Sequence, residues 1–259
     1  MQGLPSLRIG CVRYLNAQPL IHGWQGPITF DHPNVLAAQL AAGELDVALV
    51  SSFEFLRNPV YTIVDEISIA SAGSVYSVVL AHGGELDEII EVELDPASLT
   101  SVNLLRCLLV ERDLSPRFVS RGASPAPVTN RHAKLFIGDQ AIAFRRTHGS
   151  THHFWDLGQA WWEARQLPFV YAIWLMRPEV EAQQQIADAL RALRDQNLAH
   201  LENVIAAQEP DDREFSRRYF CEYLRFGLGD PETAGLLDFR LACQKHGLLT
   251  FDAAGLPLV

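Results

Sequence analysis

The four cysteines, at positions 11, 107, 221 and 243, form no C-x-x-C pair. The spacing of a zinc ribbon or a dithiol redox centre is therefore missing. Three of the four lie among apolar neighbours and read as reduced packing residues. No apolar run approaches the ~20 residues that a membrane-spanning helix needs. The opening M-Q-G-L-P-S-L-R has no basic start followed by an apolar core. No secretory leader is expected, and the expected location is cytoplasmic. Positive charge is scarce: 21 Lys and Arg face 31 Asp and Glu, for a net charge of -10. The densest basic run is Arg145-Arg146 beside His148, so neither nucleic acid nor a membrane is expected as a partner. There is no G-x-G-x-x-G after a strand, no Walker loop, no G-x-S-x-G elbow and no H-E-x-x-H. Dinucleotide, nucleotide, serine-nucleophile and zinc-protease chemistries thus have no support. Internal repeats, low-complexity segments and long linkers are also missing.

What remains is 259 residues of ordinary globular composition, 48% hydrophobic and 20% charged. That suits one large domain or two small ones. Residues 8–12 alternate like a short strand. The chain then meets Tyr14, Asn16 and Pro19, and a proline lacks the N–H and pushes its predecessor out of helical geometry. A strand emptying into such a loop is where ligands bind in open α/β sheets. Asn16 offers donors and an acceptor there without charge, or it simply caps the turn; both readings stay open. Residues 35–42 suit a helix stopped by Gly43, and 46–50 a strand ending at Ser51-Ser52. Strand, helix and strand in this order suggest a parallel sheet.

Residues 61–64 suit a further strand. The stretch 67–80 is extended, small and hydroxyl-rich, and Gly73 breaks it. It reads either as a crossing between lobes or as one buried strand. A second set of elements follows: a strand over 89–94, a helix over 99–110, and strands over 117–120 and 134–137. Ser98, Thr100 and Ser101 crowd the first turn of that helix, as an N-cap with neighbours or as an anion site. Between the two strands lies a proline-rich loop, 122–127. Gly138-Asp139 ends the later strand, where a site belongs. His148, His152 and His153 form H-x-x-x-H-H, but Gly149-Ser150 argues for a loop, and no metal is expected. Residues 154–165 read as an amphipathic, tryptophan-rich packing segment, and 168–176 as a buried strand and a second crossing. The last third reads as helices, one starting at Pro178 and two over 214–226 and 232–246.

The expected organisation is α/β and two-lobed, with residues 1–76 and 175–259 in one lobe and 77–174 in the other. Ser71, Ser77 and Trp174 then fall near the crossings. Asn16, Ser51, Thr100 and Asp139 fall at loop or helix ends facing a cleft. Such a set suits a small oxygen-rich anion, which it would orient and stabilise without covalent attack.

Several stretches carry a resemblance. They are R-I-G-C-V-R-Y-L-N-A-Q-P-L from Arg8, G-E-L-D-V-A-L-V-S-S from Gly43, S-A-G-S-V-Y-S-V from Ser71, L-D-P-A-S-L-T-S from Leu94, L-F-I-G-D-Q-A from Leu135, and W-D-L-G-Q-A-W-W-E-A-R-Q-L-P-F-V-Y-A-I-W from Trp155. In this order the chain resembles the menaquinone-biosynthesis family of the futalosine route, in its chorismate dehydratase branch. The resemblance implies a periplasmic-binding-protein-like (type II) fold with a hinge and a ligand cleft between the lobes. It implies conversion of chorismate to 3-enolpyruvylbenzoate by loss of water, with no cofactor. Ser71, Ser77, Thr100 and Ser101 are then the expected carboxylate contacts, with Ser51, Ser52 and Gly138 beside them. Tyr14 packs on the ring or belongs to the core. Asn16 holds a carboxylate or the leaving hydroxyl. The proton acceptor is the substrate's own enolpyruvyl carboxylate or Asp139. The relative that forms 1,4-dihydroxy-6-naphthoate later in the route shares D-L-G-x-x-W-W-E but carries a catalytic histidine before it. His148, His152 and His153 keep that alternative open. A solute-binding protein for a small carboxylate is the non-enzymatic one.

Overall fold

The computed structural model describes residues 7–122, 127–250 and 255–259. The chain opens with β1 (Ile9–Cys11), α1 (Gln18–Ile21), β2 (Ile28–Phe30), α2 (Pro33–Ala41), β3 (Val47–Ser51), α3 (Ser52–Arg57) and β4 (Thr62–Ser71). It crosses into β5 (Val78–His82), β6 (Glu91–Leu94), α4 (Leu99–Val110), β7 (Arg117–Ser120), β8 (His132–Ile137), α5 (Gly138–His148) and β9 (His153–Asp156). Helix α6 (Leu157–Arg165) leads back to β10 (Phe169–Met176). Helices α7 (Gln183–Ala199), α8 (Leu201–Ala206), α9 (Arg213–Arg218) and α10 (Asp230–Lys245) follow.

The strands form two sheets of five, in the orders β2-β1-β3-β10-β4 and β7-β6-β8-β5-β9. The two are built alike. In the first, β1 pairs parallel with β2 and β3, and β10 lies antiparallel between β3 and β4. In the second, β6 pairs parallel with β7 and β8, and β5 lies antiparallel between β8 and β9. Each sheet therefore contains the strand that arrives from the other lobe, which ties the lobes together twice. β3 and β5 are buried at every residue, as strands covered on both faces must be, and their sequences are apolar up to a last polar residue, Ser51 and His82. No helix among the described residues is long and apolar enough to cross a membrane.

The two crossings are shorter than the sequence suggests. The stretch 67–80 splits into the end of β4 and the start of β5, and only residues 72–77 cross. Gly73 and Tyr76 take left-handed backbone there, at φ 107° and 66°. The run 168–176 is not a crossing. β10 is paired in the first sheet along its length except at Tyr171, with Ala172 opposite Ser51 and Met176 opposite Val47. Residues 169–174 of the expected second lobe thus sit in the first sheet, and Trp174 is fully buried there, away from the crossing. A strand this apolar satisfies its backbone only between two others, and β3 and β4 supply them.

Three further differences have local causes. The Trp-rich stretch is a strand followed by a helix, because Asp156 caps α6 by accepting from Gly158 N (3.1 Å) and Gln159 N (3.1 Å). Residues 138–148, expected only to end a strand, form α5. Pro178 does not start a helix. The Arg177 carbonyl is taken by Val180 N (3.1 Å) and by the Gln183 side chain (3.1 Å), so α7 begins only at Gln183. Within the expected proline-rich loop, residues 123–126 lie outside the described residues.

Candidate active site

A cleft of about 550 Å3, its mouth included, opens where the loops leaving β1 and β3 face the starts of α4 and α5. Its polar lining is Tyr14, Asn16, Ser51, Ser77, Ser98, Ser101 and Tyr171. No charged side chain belongs to the lining among the described residues.

The loop after β1 supplies Tyr14 and Asn16. Asn197 holds this loop from behind, donating to the carbonyls of Pro19 (3.1 Å) and His22 (2.9 Å). Asn16 Oδ1 is buried and has no hydrogen-bond partner among the described residues. Buried polar atoms are nearly always paired, so an unpaired one in a residue that lines the cleft makes Asn16 a candidate ligand contact. The Tyr14 ring lies over Gly138, where a Cβ would come within 3.2 Å of it. Gly138 also has φ +55°, so the site needs glycine for both space and backbone. The Tyr14 hydroxyl meets His32 Nδ1 at 3.3 Å. Its pKa is pushed up to about 12, first by burial and then by the charges of Asp95 and Asp139.

The hydroxyls expected at the site divide into those offered to the cleft and those spent on the protein. Thr100 and Ser52 are spent. Thr100 Oγ1 bonds to the Ser51 hydroxyl and to Ser52 Oγ (3.1 Å) and accepts from Phe53 N (3.0 Å). Thr100 N donates to Ser51 Oγ (2.9 Å), and Ser52 Oγ donates to the Val170 carbonyl (2.7 Å). The start of α4 is thereby fastened to the end of β3. Thr100→Val, which keeps shape and removes the hydroxyl, is expected to cost about 1–3 kcal/mol of stability, read by urea unfolding. Ser71 is spent as well: its Oγ donates to the Gly73 carbonyl (3.0 Å) and faces Tyr171 OH (3.1 Å). Tyr171 takes its place in the lining. Ser51, Ser77, Ser98 and Ser101 do line the cleft, but Ser51 Oγ is tied to Thr100, and Ser98 Oγ donates to Ser101 Oγ (2.9 Å) and accepts from Ser101 N (3.2 Å), so Ser77 and Ser101 are the hydroxyls left to meet a ligand.

Asp139 does not line the cleft. It follows Gly138 on α5 and turns the other way, into a recess shared with Arg146, Asp212 and Phe215. Its Oδ1 accepts from Leu15 N (2.9 Å), between Tyr14 and Asn16. Packing around the carboxyl raises its pKa, the Leu15 bond opposes this, and Asp212 adds to the rise. Asp139 buttresses the Asn16 loop from the far side. The three histidines lie elsewhere too. His148 stacks on Phe144 (4.1 Å between centroids), His152 meets the edge of the same ring (5.5 Å), and His153 faces His82 (5.5 Å).

Three residues matter that sequence reasoning did not single out. Asp156 accepts from Ser74 Oγ (2.6 Å), Val75 N (3.0 Å) and Tyr76 N (2.8 Å) besides capping α6, so it pins the first crossing just before Ser77. Its signal was present, as an Asp two residues before the glycine of D-L-G. Tyr171 is visible only as a polar member of an apolar strand. Tyr219, which donates to Ser77 Oγ (2.5 Å), has no local signal at all. The starts of α4 and α5 both face the cleft. Among the described residues no side chain caps α5; its first N–H, of Gly138, donates to the Ser77 carbonyl (2.8 Å), and the helix dipole favours an anion beside it.

The comparisons with known proteins agree with this architecture. The menaquinone-biosynthesis family model matches residues 7–245. The chorismate dehydratase of Thermus thermophilus is 30% identical over 253 residues, covering 89% of this chain and 93% of that protein. Among solved structures, a protein of Archaeoglobus fulgidus superposes with a TM-score of 0.68 at 17% identity, covering 94% and 98% of the two chains. The periplasmic aliphatic sulphonate binding protein SsuA of Escherichia coli superposes with a TM-score of 0.62 at 15% identity, covering 95% and 89%. The fold is thus the two-lobed one expected from the sequence, that of periplasmic binding proteins. By the family match and the identity to a curated relative, the chain belongs to the menaquinone-biosynthesis family.

Proposed function

We propose that the protein is a chorismate dehydratase, a hydro-lyase that forms 3-enolpyruvylbenzoate and water. The observation that carries this reading is the neutral lining of the cleft, rich in hydroxyls and backed by helix starts. Chorismate brings two carboxylates and a ring hydroxyl. Hydroxyl donors and helix dipoles can hold both carboxylates without the desolvation of a buried lysine or arginine.

In the reaction a proton leaves the ring carbon bearing the enolpyruvyl ether, and hydroxide leaves its neighbour. The ring becomes aromatic and no electrons enter or leave, so the protein's task is positioning and proton handling. No carboxylate or imidazole stands in the lining among the described residues. The substrate's own enolpyruvyl carboxylate is therefore the proton acceptor, and it returns that proton to the departing oxygen, so water leaves and the carboxylate is regenerated. Asn16 Oδ1 accepts from the ring hydroxyl that leaves, and its amide donates to a carboxylate oxygen. Ser77 and Ser101 donate to the carboxylates, with Ser98 donating to Ser101 behind it and Ser51 fastened to Thr100, and Tyr14 covers the ring. Asp139 acts through Leu15, holding the Asn16 loop in place. The dihydroxynaphthoate-forming alternative would need a histidine ahead of D-L-G in the cleft, whereas His153 faces His82.

The test is purified protein with chorismate, without added nucleotide or metal, followed by ultraviolet absorbance and mass spectrometry. The expected product is aromatic and lighter by one water. Chorismate that binds and is recovered intact would overturn the dehydratase in favour of a solute-binding protein.

A further inference from the structure

Beyond α9 the helix widens into a π-turn, Tyr219–Tyr223, closed by Leu224 N donating to the Tyr219 carbonyl (3.2 Å). Such turns are rare and often mark functional sites. This one turns Tyr219 wholly inward, stacked on Phe215 (5.5 Å, 16°). Among the described residues the phenol reaches one partner, Ser77 Oγ at 2.5 Å. Ser77 is itself 1% exposed and lines the cleft.

A serine hydroxyl has one proton and two lone pairs. Tyr219 occupies a lone pair, so the Ser77 proton has to point elsewhere. No protein acceptor meets it among the described residues, and the cleft is the open direction. Hydrogen bonds in series polarise one another, which makes Ser77 a stronger donor to an oxygen anion than a lone serine. Tyr219 belongs to the C-terminal helices and Ser77 to the first crossing, so the bond joins two parts of the chain 142 residues apart.

Resting on the dehydratase reading above, we propose that Tyr219 is a positioning residue: its phenol, donated to Ser77 Oγ, aims the Ser77 hydroxyl at an oxygen of the bound substrate. Burial, the largest influence, raises the phenol far above its ordinary pKa. It therefore stays protonated and orients Ser77 without passing a proton on.

Tyr219→Phe keeps the ring and removes only the donor. Its kcat on chorismate is expected to fall about tenfold, with KM changed less than about twofold. In a Ser77→Ala background the same change is expected to be silent, within about twofold in kcat, because nothing is left to orient. The double variant leaves no buried hydroxyl unpaired, so this comparison stands even if the single variant melts early. An unimpaired Tyr219→Phe, or a tenfold effect persisting without Ser77, would overturn the role of Tyr219 alone. A wild-type protein inactive on chorismate would overturn the dehydratase reading and this role with it.

Discussion

Asn16→Ala is expected to lose turnover of chorismate by about 100-fold or more while melting at or above the wild-type temperature. The two halves of this result have one cause. Asn16 Oδ1 is buried without a partner among the described residues. An unsatisfied buried acceptor costs about 1–3 kcal/mol, so deleting it gives back roughly what is lost in packing. Catalysis moves the other way. A preorganised polar group that meets the reacting atoms contributes about 10²–10³ in kcat. A residue kept at a cost to stability, beside a cleft, fits the usual trade between activity and stability. Asn16→Asp makes the complementary test. It keeps size but sets a negative charge against the bound carboxylates, so KM should rise steeply. If Asn16→Ala instead lowered the melting temperature and left turnover intact, Asn16 would be a turn cap, the other reading its sequence context allows.

What the sequence makes legible here follows physical lines. Helix α4 was read at its observed bounds because its apolar residues repeat at helical spacing and Ser98 marks its start. The run of β10 was legible as a buried strand, but apolar character does not name a strand's neighbours, so its place between β3 and β4 was not. Helix α5 escaped notice because Arg145, Arg146 and Thr147 give it too little apolar periodicity. The hydroxyls show the same limit at the site. Thr100, Ser52 and Ser71 read as donors to a ligand, yet each is taken up by protein groups far away in sequence or across a turn. A residue type states what a side chain can bond. The tertiary fold decides what it does bond: the α6 cap by Asp156 is local, but its hold on the crossing and the role of Tyr219 exist only at that level.

Asp156→Asn tests the other half of the design, the crossing that carries Ser77. The carboxylate is 9% exposed and has a donor on almost every side. Oδ1 takes Val75 N, Gly158 N and Gln159 N, and Oδ2 takes Ser74 Oγ and Tyr76 N, with Arg145 Nη1 at 3.5 Å. An asparagine can serve only one of these groups. Its NH2 must face either the α6 start or the Tyr76 amide, a donor against a donor. Serine can rotate away, but a backbone N–H cannot. Tyr76 also sits at φ 66°, a conformation costing an L-residue roughly 1–2 kcal/mol, and the carboxylate is what holds it there. Breaking a buried charge network of this kind costs about 3–5 kcal/mol. For a chain of this size that is a melting temperature lower by roughly 6–20 °C. Turnover should fall as well, because the loosened segment runs directly into Ser77. Asp156→Asn thus loses stability and activity together, where Asn16→Ala loses activity alone. Gly158 is tied to the same point: a Cβ there would stand 2.6 Å from Tyr171 OH and 2.7 Å from both the Gly73 carbonyl and Ser71 Oγ. A melting temperature unchanged by Asp156→Asn would mean that Arg145, seated 4.1 Å from the Tyr76 ring, holds the crossing without the carboxylate.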